Sequence, residues 1–115
     1  MPRAFEQSEL LDRIDNDWDF LAETVQMLGS DGRGLLEEIR RGAASNDAAS
    51  VGRAGHTLKG MISNFCAPTA EAAALEIEQI GKSGDLSAAP GAIEKLQLSL
   101  DALVADLNDF LEKRA

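Results

Sequence analysis

The sequence is short of most residues that commonly carry chemistry. Its 115 residues include one cysteine, one histidine, one tryptophan and no tyrosine, and aromatics make up only 4%. A single thiol, Cys66, excludes an internal disulfide and any cysteine-rich metal site. No apolar run approaches the ~20 residues of a bilayer-spanning helix, and no signal-peptide pattern opens the chain. Positive charge is scarce too, with 11 lysines and arginines against 20 aspartates and glutamates, a net charge of −9. Such a surface repels phosphate backbones and anionic lipid, so neither nucleic acid nor a membrane surface is an expected partner. Walker loops, dinucleotide-binding glycine fingerprints and histidine clusters are absent as well. Together these absences point to a reducing cytoplasm and to a chain without an active site of its own.

What remains is a helix-forming composition. Hydrophobic residues make up 44%, rich in leucine and alanine, with the β-branched types scattered singly. The length suits one domain spanning 1–115, with a single core. Ile93, Leu96, Leu100, Leu103, Leu107 and Phe110 step by three and four and predict a long C-terminal helix, with Pro90 in its first turn. Val51, Ala54, Leu58, Ile62 and Phe65 predict a helix over about 46–65, capped by Ser45 or Asn46 with Asp47 in its first turn. Pro68 starts a third, to about Lys82, after which Gly81 and Gly84 read as punctuation. The N-terminal third carries two stripes, Trp18-Leu21-Val25-Leu28 and Leu35-Ile39-Ala43, separated by Gly29, Gly32 and Gly34. This predicts one arm bent or interrupted near Gly29–Gly32, preceded by a short helix around Ser8–Ile14. The expected fold is all-α: an antiparallel up-and-down four-helix bundle with a short extra N-terminal helix. Its outer face reads as polar, which argues against a large apolar groove.

The candidate site is the lone histidine. His56 lies off the buried stripe of its helix, and its neighbours one turn away are Gly52, Arg53, Lys59 and Gly60. Both i±4 positions are glycine and both i±3 positions are cationic. Two glycines inside a helix cost roughly 2 kcal/mol relative to alanine. A merely solvated histidine gives no reason for that cost. A bare shelf around a nucleophile is what a second protein needs to bring its own reacting group close, and the cations offer charge to a phosphoryl group. A metal site is not expected, because one histidine without cysteines needs carboxylate partners that the pattern does not supply.

The run Gly55-His56-Thr57-Leu58-Lys59-Gly60, followed by Asn64-Phe65, resembles the signature of histidine-containing phosphotransfer (HPt) domains of multistep two-component phosphorelays. Leu75-Glu76 and Gly81-Lys82-Ser83-Gly84-Asp85 are similar to the family's next helix and its turn, so the likeness runs from about Phe20 to the C-terminus. The resemblance implies a phosphorelay intermediate, a carrier rather than an enzyme. His56 would accept a phosphoryl group from a phospho-aspartyl receiver domain and pass it to another receiver. Lys59 would support the phosphoryl group. Gly60, Gly52, Arg53, Ser63 and Asn64 would form the docking face. Glu78 falls where family members often place a polar residue on the histidine ring, and Lys82 where some place a second cation; both also fit an ordinary i,i+4 surface pair. The implied partners are response-regulator receivers and a hybrid sensor histidine kinase, at whose cytoplasmic end such a domain can sit. No cofactor is implied beyond the Mg²⁺ that the receiver brings, and a monomer is expected. Three positions depart from the family's pattern: Gly55 for alanine, Met61 for serine or alanine, and Cys66 where glycine is frequent. The alternative is a helical adaptor that binds a receiver or regulatory partner through the same face and is never phosphorylated.

Overall fold

A computed structural model describes residues 3–114. Its elements are α1 (Gln7–Arg13), α2 (Trp18–Ala44), α3 (Ala48–Ser63), α4 (Pro68–Ser83) and α5 (Ala89–Lys113), with no strand among the described residues. Residues 45–47, 64–67 and 84–88 make the three connections between the long helices. Such short loops return the chain antiparallel to itself. Each of the four long helices packs on its sequence neighbour, and α5 closes the ring against α2. The fold is therefore a four-helix bundle with a short N-terminal helix.

The leucine stripes make the core. All six stripe residues of α5 are buried, as are Leu21, Val25, Leu28, Leu36 and Ile39 of α2. The N-terminal arm is one uninterrupted helix, so the interruption expected near Gly29–Gly32 is corrected. The reason lies in packing. Gly32 is buried on the stripe itself, where a Cβ would touch Leu100 Cδ2 at 3.4 Å and Leu58 Cδ1 at 3.7 Å. The inward residue after it is Leu36, and Leu35 is only partly buried.

The caps also differ from expectation by a residue or two. Asn46 takes a left-handed φ of 59°, which asparagine tolerates, so the helix starts after it. Asp47 is then the cap of α3. Its carboxylate accepts from the Ser50 amide at 3.2 Å and the Ser50 hydroxyl at 2.7 Å, and these bonds hold its carboxyl below the usual range. Gly84 ends α4 in the left-handed conformation at φ 79°, a glycine C-cap. Cys66, in the α3–α4 loop, is buried and has φ 55°. That backbone favours glycine, which is the residue frequent at this place in the pattern the chain resembles. Burial pushes the Cys66 thiol up.

The N-terminal segment ties the α3–α4 loop to the last turns of α5, at one end of the bundle. Glu6 N–H donates to Cys66 O at 2.8 Å, and Ala4 N–H to the Asp106 carboxylate at 2.8 Å. Phe5 and Trp18 both pack on Phe110, with ring centroids 5.3 and 5.0 Å apart. Arg13 donates to Ser63 O at 2.6 Å, joining α1 to the end of α3.

Candidate functional site

The site is positioned by the seam between α3 and α4. Both helices present buried glycines there: Gly52 and Gly55 from α3, and Gly81 from α4. A Cβ on Gly55 would stand 2.9 Å from both Glu78 N and Ile77 Cγ2. A Cβ on Gly81 would collide with the Gly52 backbone and lie 2.9 Å from Ala48 O. Backbone thus meets backbone, and this close approach brings a side chain of α4 within reach of His56 on α3.

That side chain is Glu78. Among the described residues it is the one buried charged or polar side chain, 3% exposed. Three donors surround its carboxylate. Lys59 Nζ is 2.7 Å from Oε1, an ion pair off the ideal hydrogen-bond angle. Lys82 Nζ is 3.0 Å from Oε2, and His56 Nδ1 is 3.1 Å from the same oxygen. Lys59 foremost, then Lys82 and His56, hold the Glu78 carboxyl at about 2 against the opposing effect of burial. It is therefore ionised at any physiological pH. An ionised carboxylate can only accept, so His56 Nδ1 carries the proton in this contact. The lone pair of the neutral ring is then on Nε2, on a side chain that is 68% exposed.

The expected site residues fall into three groups. His56, Lys59, Glu78 and Lys82 form one connected cluster. Arg53, Gly60 and Asn64 lie exposed and Ser63 half-buried along the outer side of α3, where Arg53 contacts Ser50 and the Ser63 hydroxyl donates to Gly60 O. A Cβ on Gly60 would meet nothing within 4 Å, so its surface is open. Gly52 is elsewhere. It is buried against Gly81, so the shelf expected on both sides of His56 is open only on the Gly60 side, and the correction has a packing cause. Gly81 likewise is a helix contact rather than a turn.

Two features escaped the sequence. Glu78 was expected on the histidine ring from the resemblance and legible as an i,i+4 partner of Lys82, but its burial depends on the opposite helix. The second feature is an apolar groove lined by Ile14, Phe20, Met27, Met61, Phe65 and Asn64, which corrects the expectation of a wholly polar outer face. Phe20 and Met27 are 51% and 56% exposed. Their seven-residue spacing was the available signal, but it lies off the main stripe of α2. Among the described residues no group of three or more histidine, cysteine or carboxylate side chains is arranged to hold a metal, and no helix is long and apolar enough to cross a membrane.

A family model described as the Hpt domain matches residues 23–106, well over half of the chain. The chain belongs to the Hpt domain family. Its role is histidine phosphotransfer in phosphorelays, in interaction with receiver domains of two-component systems, as a phosphocarrier rather than a catalytic enzyme. No curated protein and no solved structure matches the chain. The Hpt match includes α3 and α4 whole, and so all of the His56–Glu78 cluster.

Proposed function

We propose that this Hpt domain accepts a phosphoryl group on Nε2 of His56 from a phospho-aspartyl receiver and donates it to a second receiver. The observation that carries this reading is the 3.1 Å contact of His56 Nδ1 with buried, ionised Glu78, which leaves Nε2 exposed with its lone pair free. In uptake, Nε2 attacks phosphorus in line and the receiver's aspartate leaves. Lys59 is anchored on Glu78 through one contact and has further N–H donors for the phosphoryl oxygens. Lys82 stands on the other side of the same carboxylate with its side chain 72% exposed.

The receiver docks over His56, Gly60, Ser63 and Asn64, with Arg53 at one end of that face and the groove at Met61, Phe20 and Met27 at its flank. Gly52 lies in the contact with α4, its backbone against Gly81, and outside that docking face. The receiver supplies an acidic pocket and Mg²⁺, which neutralises charge on the transferred group, so this chain holds half of the reacting site. A chain of this kind works as a monomer in the cytoplasm, free or joined to a hybrid sensor kinase.

The test separates binding from chemistry. His56→Gln should abolish phosphoryl uptake from a labelled receiver while leaving receiver affinity within about twofold, since glutamine keeps a polar side chain of similar reach and most single interface positions carry little of the binding energy. Uptake by His56→Gln, or affinity lost together with uptake, contradicts the reading.

A further inference from the structure

Resting on the carrier reading and its docking face, we propose that Met27 and Met61 are a reversible oxidation site: peroxide turns their thioethers into sulfoxides, and the apolar groove beside His56 then rejects the receiver.

The accessible sulfur of the described residues lies in that groove. The chain has three methionines and one cysteine, and Met1 is outside the described residues. Met27 on α2 is exposed and Met61 on α3 is half-buried, and both line the groove together with Phe20 and Phe65. Met61 directly follows Gly60 of the docking face, and it stands where the pattern the chain resembles has serine or alanine. The thiol is placed differently. Cys66 is buried in the α3–α4 loop, and burial pushes its thiol up, away from the thiolate that reacts with peroxide. Oxidant arriving from solvent therefore meets the thioethers first, at the edge of the docking face.

The step balances with peroxide alone. A sulfur lone pair forms the S–O bond to one peroxide oxygen while the O–O bond breaks. The second oxygen takes up the proton released and leaves as water. Sulfur is oxidised by two electrons and the peroxide is reduced by two. A dithiol-dependent sulfoxide reductase reverses the change, the dithiol becoming a disulfide and the oxygen leaving as water.

The product suits a switch of docking rather than of folding. A thioether is apolar and adapts to a partner's apolar side chains. A sulfoxide oxygen is an acceptor that must be desolvated when the receiver covers it. The groove encloses about 280 Å³, and a water-sized group needs roughly 10–15 Å³, so the added oxygen has room without displacing the core. Neither methionine belongs to the His56–Glu78 cluster, so the nucleophile itself is unchanged.

The experiment exposes the full chain to hydrogen peroxide and locates the added oxygen by peptide mass mapping. Phosphoryl uptake is then measured from a labelled receiver and from phosphoramidate, a small donor that needs no groove. Met27 and Met61 should each gain one oxygen, Met27 first, while Cys66 remains a free thiol. Uptake from the receiver should fall about tenfold or more, and uptake from phosphoramidate should not change. Sulfoxide reductases of both epimer specificities, with dithiothreitol, should restore the receiver rate. The Met27→Leu/Met61→Leu double variant, whatever its starting rate, should lose nothing on the same treatment. Oxidised wild type that takes label from the receiver at the unoxidised rate overturns the proposal and leaves the carrier reading standing. So does a loss that persists in the double variant, or one that appears equally with phosphoramidate. An unoxidised chain that takes label from phosphoramidate but exchanges with no receiver overturns the carrier reading, and the proposal falls with it.

Discussion

Toward its start, α3 lies against α4 with Gly52 and Gly55 buried at the contact, whereas one turn beyond His56 the Gly60 position faces open space. The residue type is the same and the physical demand is opposite. In the seam, the side chains missing at Gly55 and at Gly81 let two backbones meet, and that approach carries Glu78 to the histidine. At Gly60 nothing in this chain needs the room, and in the proposed function the vacancy admits the receiver. Glycine inside a helix thus has two separable meanings, and they predict opposite results when a methyl group is added.

The largest effect is expected at Gly81. An added Cβ would collide with the Gly52 nitrogen and Cα and press on Ala48 O, all backbone atoms that cannot rotate away. Gly81→Ala should lower the unfolding free energy by about 3 kcal/mol, measured by urea titration. A loss below about 1 kcal/mol would mean that the seam is looser than described. The same contact approached from the other side gives a sharper comparison. A Cβ on Gly52 meets Gly81 at an ordinary 3.6 Å, so Gly52→Ala should be neutral or stabilise by up to about 1 kcal/mol.

Next in size is Gly55→Ala. Its Cβ at 2.9 Å from Ile77 Cγ2 and Glu78 N costs about 1–3 kcal/mol, offset by up to about 1 kcal/mol from helix propensity. The net loss should come with slower phosphotransfer, because the atoms displaced belong to Glu78. Full transfer rate in a destabilised Gly55→Ala protein would separate the seam from the site and break the comparison.

Gly60 should behave in reverse. Gly60→Ala has free space and should stabilise the bundle by up to about 1 kcal/mol, and a longer residue such as glutamine should slow transfer by obstructing the receiver. A Gly60→Gln protein that transfers at the wild-type rate would remove the steric meaning assigned to that vacancy.

The smallest effect, in mild acid, concerns Glu78. Its carboxyl is lowered from 4.5 to about 2 in the folded chain, first by Lys59 and then by Lys82. A depressed folded value means that its stabilising contribution is fully present above the unfolded value near 4.5 and is lost as pH falls from there toward 2. The stability difference between wild type and Glu78→Gln should therefore not narrow from neutral pH to about 5, and should narrow below it. A difference that narrows between neutral pH and about 5 would contradict the triple contact.

The bundle itself was legible because leucine and isoleucine spacing reports directly on which side of a helix is buried, as for Ile93 through Phe110. The failures share a physical cause. Whether Gly32, Gly52 or Gly81 breaks a helix, caps it or admits a neighbour depends on what the opposite helix brings, and one strand of sequence does not contain that. Asn46 displaced the cap to Asp47 through a left-handed backbone that many residues resist. His56 and Lys59 were readable from local spacing, whereas the burial of Glu78 and the groove at Phe20 and Met27 arise only when α3 is set beside α4 and α2.

The most direct test of the account is the fate of labelled phosphoryl supplied by a phosphorylated receiver. With His56 the single histidine, the account predicts acid-labile, base-stable label on the wild-type chain, mapping to the peptide that contains residue 56 and absent from His56→Ala. Label that persists in His56→Ala, or that proves acid-stable, would contradict it.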